Sequence, residues 1–198
     1  MNINRENHTQ YAFFILFLSL ISISISYFMF SALKQNNINL PFYIEIPSPI
    51  AIYGLLFCLF EKHLWKYSIF KKLGIIIGDD LNGKWTGTVR SSYDKFEKNY
   101  SANFNIKQSA TQIKINGLFN NSKSTSIHEN FGKSEIDNEV ALFYFFRNEP
   151  NYDAKETMAM HEGVVKLIYN KTEDTLVGYY YSGRDRNNHG TINVRRVK

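Results

Sequence analysis

The residues best suited to chemistry lie in the second half of the chain. Tyr144, Tyr179, Tyr180 and Tyr181 lie near Arg147, Arg184 and Arg186 in sequence. Aromatic faces stack on nucleobases, and a guanidinium can hold a phosphate through two parallel hydrogen bonds. Upstream, the run Ser122-Lys-Ser-Thr-Ser126 is followed by His128. On an extended strand Ser122, Ser124, Ser126 and His128 share one face, which makes that face polar. The plainer explanation is that tyrosines pair across strands while arginines solvate a rim. Catalytic signatures are absent. The sequence has no G-x-S-x-G, P-loop, H-E-x-x-H, G-x-G-x-x-G or EF-hand pattern. His128, His161 and His189 fall on different elements, so they read as scattered histidines and not as a metal trio. Asp79-Asp80 reads as a solvated turn, and no carboxylate pair has the spacing for acid–base work. The expectation is a binding protein with no catalytic residues, no metal and no cofactor.

The elements that must position these residues are short strands. From position 79 onward apolar and polar residues alternate, and candidate strands recur at 84–91, 99–107, 111–119, 123–131, 139–146, 158–169, 176–182 and 191–197. Turn residues separate them, among them Asn120-Asn121, Gly132, Asn148-Glu149-Pro150-Asn151 and Asn187-Asn188-His189-Gly190. The expected fold class is mainly β: a compact eight-stranded up-and-down antiparallel barrel. Such a meander needs no long crossover, and closure removes the edges. Alternation assigns Trp85, Gly87 and Val89 to one face, Tyr100, Ala102, Phe104 and Ile106 to another, and then Ile113, Ile115 and Gly117. On the fifth strand Leu142, Tyr144 and Phe146 compete with Phe143 and Phe145 for the interior. On the seventh, Leu176, Gly178, Tyr180 and Ser182 oppose Val177, Tyr179 and Tyr181.

In a meander, odd strands end at the rim where even strands begin. One rim therefore collects Arg90, Ser91, Ser122, Ser124, Phe146, Arg147, Ser182, Arg184 and Thr191. This geometry gives Ser122, Ser124, Ser126, Tyr144, Arg147, Tyr180, Ser182 and Arg184 as candidate ligand-binding residues. A barrel of about eight strands can hold one small ligand. Positions 79–198 carry 17 Lys and Arg against 15 Asp and Glu. So balanced a domain lacks the broad basic face that duplex nucleic acid needs.

The first part of the chain is different. Positions 11–33 run 23 residues without a charge, long enough to span a bilayer. Serines at 19, 22, 24, 26 and 31 can bond back to the backbone one turn earlier. A signal peptide would have a shorter apolar run, a more basic start and a small-residue cleavage site. A second apolar stretch, about 46–66, opens on Pro47 and Pro49, which suit a helix start. It leads to Lys62, Lys66, Lys71 and Lys72, with Trp65 and Tyr67 at headgroup level. The positive-inside rule then places both termini in the cytoplasm. The expected division is a membrane region at 1–78 with two spans and a cytoplasmic ligand-sensing barrel at 79–198. The single cysteine, Cys58, falls within the second apolar stretch, so no disulfide framework is expected and nothing demands an oxidising compartment.

Two apolar stretches, then Leu81-Asn-Gly-Lys-Trp-Thr-Gly87, Ile106-Lys-Gln108, Ser122-Lys-Ser-Thr-Ser126, Leu142-Phe-Tyr144, His161-Glu-Gly163, Leu176-Val-Gly-Tyr-Tyr-Tyr-Ser-Gly-Arg184, Gly190-Thr-Ile192 and Arg196 form an ordered set. Over essentially the whole chain this order resembles the SMODS-associated two-transmembrane β-strand-rich effectors of bacterial cyclic-oligonucleotide-based antiphage systems. The resemblance implies a minimal eight-stranded barrel that binds a cyclic oligonucleotide, a cyclic dinucleotide in the first instance. A partner nucleotidyltransferase would make that ligand during phage infection. Binding would drive homo-oligomer assembly, and the membrane part would then act on inner-membrane lipids and kill the infected cell. Two other functions fit the barrel: a membrane-tethered lipid or small-molecule carrier, with an apolar interior and no arginine at its mouth, and a structural membrane subunit with no pocket.

Overall fold

The computed structural model describes residues 8–36, 47–133, 139–154, 158–183 and 187–197. They fall into two compact units that meet in sequence between Ile76 and Ile77.

The first unit is helical. Helix α1, His8–Gln35, contains the stretch Thr9–Gln35, which is long and apolar enough to cross a membrane. Phe13, Leu16, Phe17, Leu20 and Phe28 remain exposed along it, while Leu18 and Ser22 are buried. Three serines bond back as expected, Ser19 Oγ to Ile15 O (2.9 Å), Ser22 Oγ to Ser19 O (2.7 Å) and Ser24 Oγ to Leu20 O (2.9 Å), whereas Ser26 Oγ donates to Pro47 O (3.2 Å). Helix α2, Pro49–Lys62, starts where the two prolines place it. Ser48 caps it by accepting from Ala51 N, with Pro49 in the first turn. It runs for 14 residues, short of the roughly 20 that a span needs. The chain then breaks at His63 into a single turn, Leu64–Lys66, and a short helix α3, Ser68–Lys72. Phe60 packs on Phe14 of α1, ring centroids 4.5 Å apart.

The second unit is the expected barrel. Its strands are β1 Gly83–Ser91, β2 Tyr100–Gln108, β3 Ile113–Phe119, β4 Ser122–Lys133, β5 Val140–Pro150, β6 His161–Asn170, β7 Thr175–Ser182 and β8 His189–Arg196. They close in sequence order, each antiparallel to its neighbours, with β1 pairing β8. Alternation drives this. Trp85, Phe104, Ile106, Ile115, Leu142, Leu167, Leu176 and Val194 point inward and form one core. On β5 it is Leu142, Tyr144 and Phe146 that face in, while Phe143 and Phe145 are exposed. On β7, Leu176 and Ser182 are buried, and Tyr179 and Tyr181 face out.

One end of the barrel, the floor, is sewn shut. Trp85 Nε1 donates to Leu81 O (2.9 Å), Leu81 N donates to Gln108 Oε1 (2.7 Å), and Gln108 Nε2 donates to Asp79 O (2.9 Å). Arg196 Nη2 donates to Asp80 O (2.8 Å), its Nη1 donates to Asn82 O, and its Nε pairs with Asp174 (3.0 Å). The Arg196 guanidinium also lies 4.3 Å from the centroid of Trp85. The fragments Leu81–Gly87, Gln108 and Arg196 are therefore one structural unit.

The polar face expected on the fourth strand breaks part-way. Ser126 pairs with Phe146 but His128 pairs with Phe145, so a bulge at Ile127 shifts the register by one. That correction turns His128 outward, where it is exposed, and brings Phe131 into the core. The bulge also shortens the β3–β4 ladder to Asn116–Thr125, Gly117–Ser124 and Leu118–Lys123. Where the ladder stops, Ser126 Oγ accepts from Ile115 N (2.8 Å) and replaces the missing backbone acceptor.

Candidate functional site: the cavity at the open end

The interior is apolar toward the floor, and toward the other end aromatic and aliphatic side chains are joined by hydroxyls and amides. There a cavity of about 330 Å³ opens between the β1–β2, β3–β4, β5–β6 and β7–β8 connections. Cross-strand register explains which side chains meet in it. One row runs Tyr144–Val165–Tyr180–Gly190–Ser91 across β5, β6, β7, β8 and β1. A second runs Phe104–Gly117–Ser124–Asn148–His161 across β2 to β6. A third joins Phe146, Gly163 and Ser182.

Glycines in these rows make room. A Cβ at Gly117 would lie 2.9 Å from the Phe104 ring, one at Gly163 2.6 Å from Phe146, and one at Gly190 2.4 Å from Tyr180. At Gly163 and Gly190 the Cβ would also meet the backbone oxygens of Tyr181 and Arg90, at 2.2 and 2.1 Å, so these glycines let both a ring and a neighbouring strand approach closely. The polar groups are neutral. Ser122, Ser182 and Asn148 are buried, and Asn148 Nδ2 reaches Met158 Sδ at 3.6 Å. Tyr144 is buried and its hydroxyl makes no hydrogen bond among the described residues. Burial pushes the Tyr144 phenol well above its ordinary value, so it stays a donor at neutral pH. Tyr100 is also pushed up, by desolvation first and then by Asp94. His161 Nδ1 lies 3.1 Å from Ala159 O at the mouth. None of the described residues lining the cavity is Lys, Arg, Asp or Glu. Among the described residues no group of His, Cys, Asp and Glu could hold a metal ion.

Of the residues singled out from sequence, Ser122, Ser124, Tyr144, Tyr180 and Ser182 all line this cavity. Ser126 does not; it is fully buried and serves Ile115 N. Arg147 points outward on β5 and forks onto Glu162 Oε1 at 2.7 and 3.0 Å. Arg184 lies outside the described residues. Two further rim residues turn away from the mouth. Thr191 is exposed on the outer face, and Arg90 Nε donates to Phe96 O (3.0 Å). The sequence reading missed Asn148, Tyr100, His161 and Asn188 as lining residues. Asn148 and Asn188 sit in runs that read as turns. Tyr100 was already on the same face as Phe104, which was the signal for it.

A closed barrel with one floor and one mouth, and a neutral aromatic and hydroxyl cavity behind that mouth, is a receptor geometry. Residues 79–196 match the family described as Cap15, cyclic dinucleotide receptor domain. The chain belongs to that family. The match spans every strand of the barrel and includes both the sewn floor and the cavity. It fits an effector of cyclic-oligonucleotide signalling, as the resemblance implied, and a receptor domain is a binding module, not an enzyme family. No curated protein matches the chain.

Proposed function

We propose that the chain is a membrane-anchored effector of bacterial antiphage defence whose barrel senses a cyclic dinucleotide. The observation that carries this reading is the cavity: aromatic rings packed against glycines beside buried hydroxyls and amides, in a receptor-family barrel. Stacking faces and neutral donors suit nucleosides. They do not suit a fatty-acid tail, beside which the buried Ser122 and Ser182 hydroxyls would lie against hydrocarbon.

In this reading residues 1–78 form the membrane region and 79–198 the cytoplasmic sensor. The apolar stretch Thr9–Gln35 supports an inner-membrane anchor. The second span, about 46–66, rests on the apolar run before Glu61 and the aromatics Trp65 and Tyr67, and cytoplasmic termini on both ends rest on the lysine asymmetry of the sequence. A partner nucleotidyltransferase supplies the messenger. Binding favours a homo-oligomer, because a short helical hairpin cannot form a lesion alone, and the assembled helices act on inner-membrane lipids to abort infection. On sequence grounds Arg184 is the phosphate-binding candidate, with Arg147 at the outer rim. The protein has no catalytic step and no duplex nucleic acid partner.

The test is dye entry into cells with the cognate synthase switched on. The full chain should admit dye, and a chain lacking residues 1–70 should not, while still binding the messenger in calorimetry. Dye entry by the truncated chain would place the killing activity in the barrel and refute the anchor-as-weapon reading. A reporter fused after Lys198 that is active only in the periplasm would refute the topology.

A further inference from the structure

Resting on the reading that the cavity takes a cyclic dinucleotide, we infer that it admits one nucleoside half, base first, and leaves both phosphodiesters at the mouth. Charge is the first argument. A phosphodiester is an anion, and a buried anion without a paired cation or a full set of donors is strongly disfavoured. The described lining holds no Lys or Arg, so nothing there compensates a charge carried deep into the barrel. His161 is the one described lining group that can become a cation, and it sits at the mouth, at the start of β6.

Size is the second argument. A cavity of about 330 Å³ is near the lower end of the range for small-molecule pockets, about 300–1,000 Å³. Two nucleosides closed into a ring by two phosphodiesters call for the upper part of that range. One half fits and the other stays outside.

The third argument is the chemistry met on the way in. Asn120, Asn121 and Asn188 at the mouth offer amide donors to phosphate oxygens, and Tyr93, largely exposed there, offers a face for the outer base. Deeper, Tyr180 and Phe146 pack against Gly190 and Gly163 and line the space for the inner base. The Tyr144 hydroxyl, unbonded among the described residues, and the Asn148 amide are placed for its edge. A neutral hydroxyl and an amide can both give and take hydrogen bonds, which suits a base edge.

The experiment uses the full chain in detergent and a fluorescent cyclic dinucleotide, competed with free nucleosides and, separately, with inorganic phosphate at matched ionic strength. Free nucleosides should displace the probe and phosphate should not. Tyr144→Phe should weaken the nucleoside and the cyclic dinucleotide by the same factor, about three- to tenfold for one neutral hydrogen bond, with the salt dependence of binding unchanged. Ser122→Ala is the second variant and carries the same expectation should Tyr144→Phe fail to fold. Displacement by phosphate and by no nucleoside would overturn the base-first arrangement while the sensor reading stands. Nucleoside binding, detected by calorimetry, with no cyclic dinucleotide binding would overturn the sensor reading while the base cavity stands. Binding of neither would overturn both.

Discussion

Replacing Arg196 with alanine removes the centre of the barrel floor. Its guanidinium pairs with Asp174 at 3.0 Å, donates to the backbone oxygens of Asp80 and Asn82, and lies 4.3 Å from the centroid of Trp85. Hydrogen bonds to charged groups contribute about 1.5–3 kcal/mol each, and a cation over an aromatic face about 0.5–2 kcal/mol. These contributions do not add, because one side chain makes them all. The side chains of Arg196 and Asp174 are 22% and 33% exposed, so water screens part of the gain. The expected loss is about 2–4 kcal/mol. Thermal unfolding of the full chain in detergent should show the barrel transition lowered by roughly 10 °C. Amide exchange should quicken in residues 79–82 and in β8. Affinity for a cyclic dinucleotide should change less than about threefold at a temperature where the variant is folded, because the cavity is at the opposite end. Adding Asp174→Ala to the variant should cost less than Asp174→Ala alone, since the ion pair is already broken and the bond from the Tyr169 hydroxyl (2.8 Å) remains to be lost. A melting temperature within about 2 °C of the parent, or lost binding in a folded variant, would refute the division between floor and mouth.

Gly117→Ala places a Cβ 2.6 Å from Ser124 Oγ and 2.9 Å from the Phe104 ring, both side-chain atoms that can yield only into the cavity. It should cost about 1–3 kcal/mol of stability and weaken cyclic dinucleotide binding, read by calorimetry. Ser126→Ala removes the acceptor of Ile115 N and should destabilise by about 1–3 kcal/mol in urea, leaving affinity unchanged. Tyr144→Phe tests the raised phenol pKa. An unfolded tyrosine ionises near 10.0 and the folded one later, so this group's stabilisation is intact below pH 10.0 and is lost as pH rises toward the folded value. The variant should lose less stability than the parent between neutral pH and pH above 10.0, measured by urea unfolding.

The barrel was legible because alternation is a backbone property. Once residues 79–198 read as eight alternating runs with turn chemistry between them, closure and meander order follow from connectivity rules. Equal claims on β5 were not resolvable that way, since Phe143 and Phe145 are as apolar as Leu142 and Phe146. Only the pairing of β5 with β6, which puts Tyr144 opposite Val165 and Phe146 opposite Gly163, decides the inner face. The bulge at Ile127 was invisible for a related reason. A β-branched residue between Ser126 and His128 continues the alternation in sequence, and the one-residue slip appears only in the pairing with Phe146 and Phe145. Arg147 does not line the cavity. Arg147 follows Phe146 on an alternating strand, so an inward Phe146 forces Arg147 out to Glu162. The same parity turns Asn148 inward, and that would have been readable had the asparagine not been assigned to a turn.

The two ends of the barrel carry opposite demands, and the sequence divides them along every strand. Toward the floor each inward position is filled: Leu81, Trp85, Ile106, Ile115, Leu142, Leu167, Leu176 and Val194 are at most 2% exposed. Toward the mouth the same strands place Ser91, Ser182 and Asn148 inward, and β3 and β8 place glycines where a core would place branched side chains. Each such position gives up apolar burial worth roughly 1.5–3 kcal/mol for a large aliphatic side chain. A site that must stay open and polar cannot also be close-packed, so stability has to come from elsewhere in the same sheet. The hydrogen-bonded floor is that source. It also ties residues 79–82, where the chain arrives from the helical unit, to β2 and β8. A ligand that fills the mouth adds contacts on the same strands that end in this floor. Arg196 and Gln108 hold residues 79–82 to those strands.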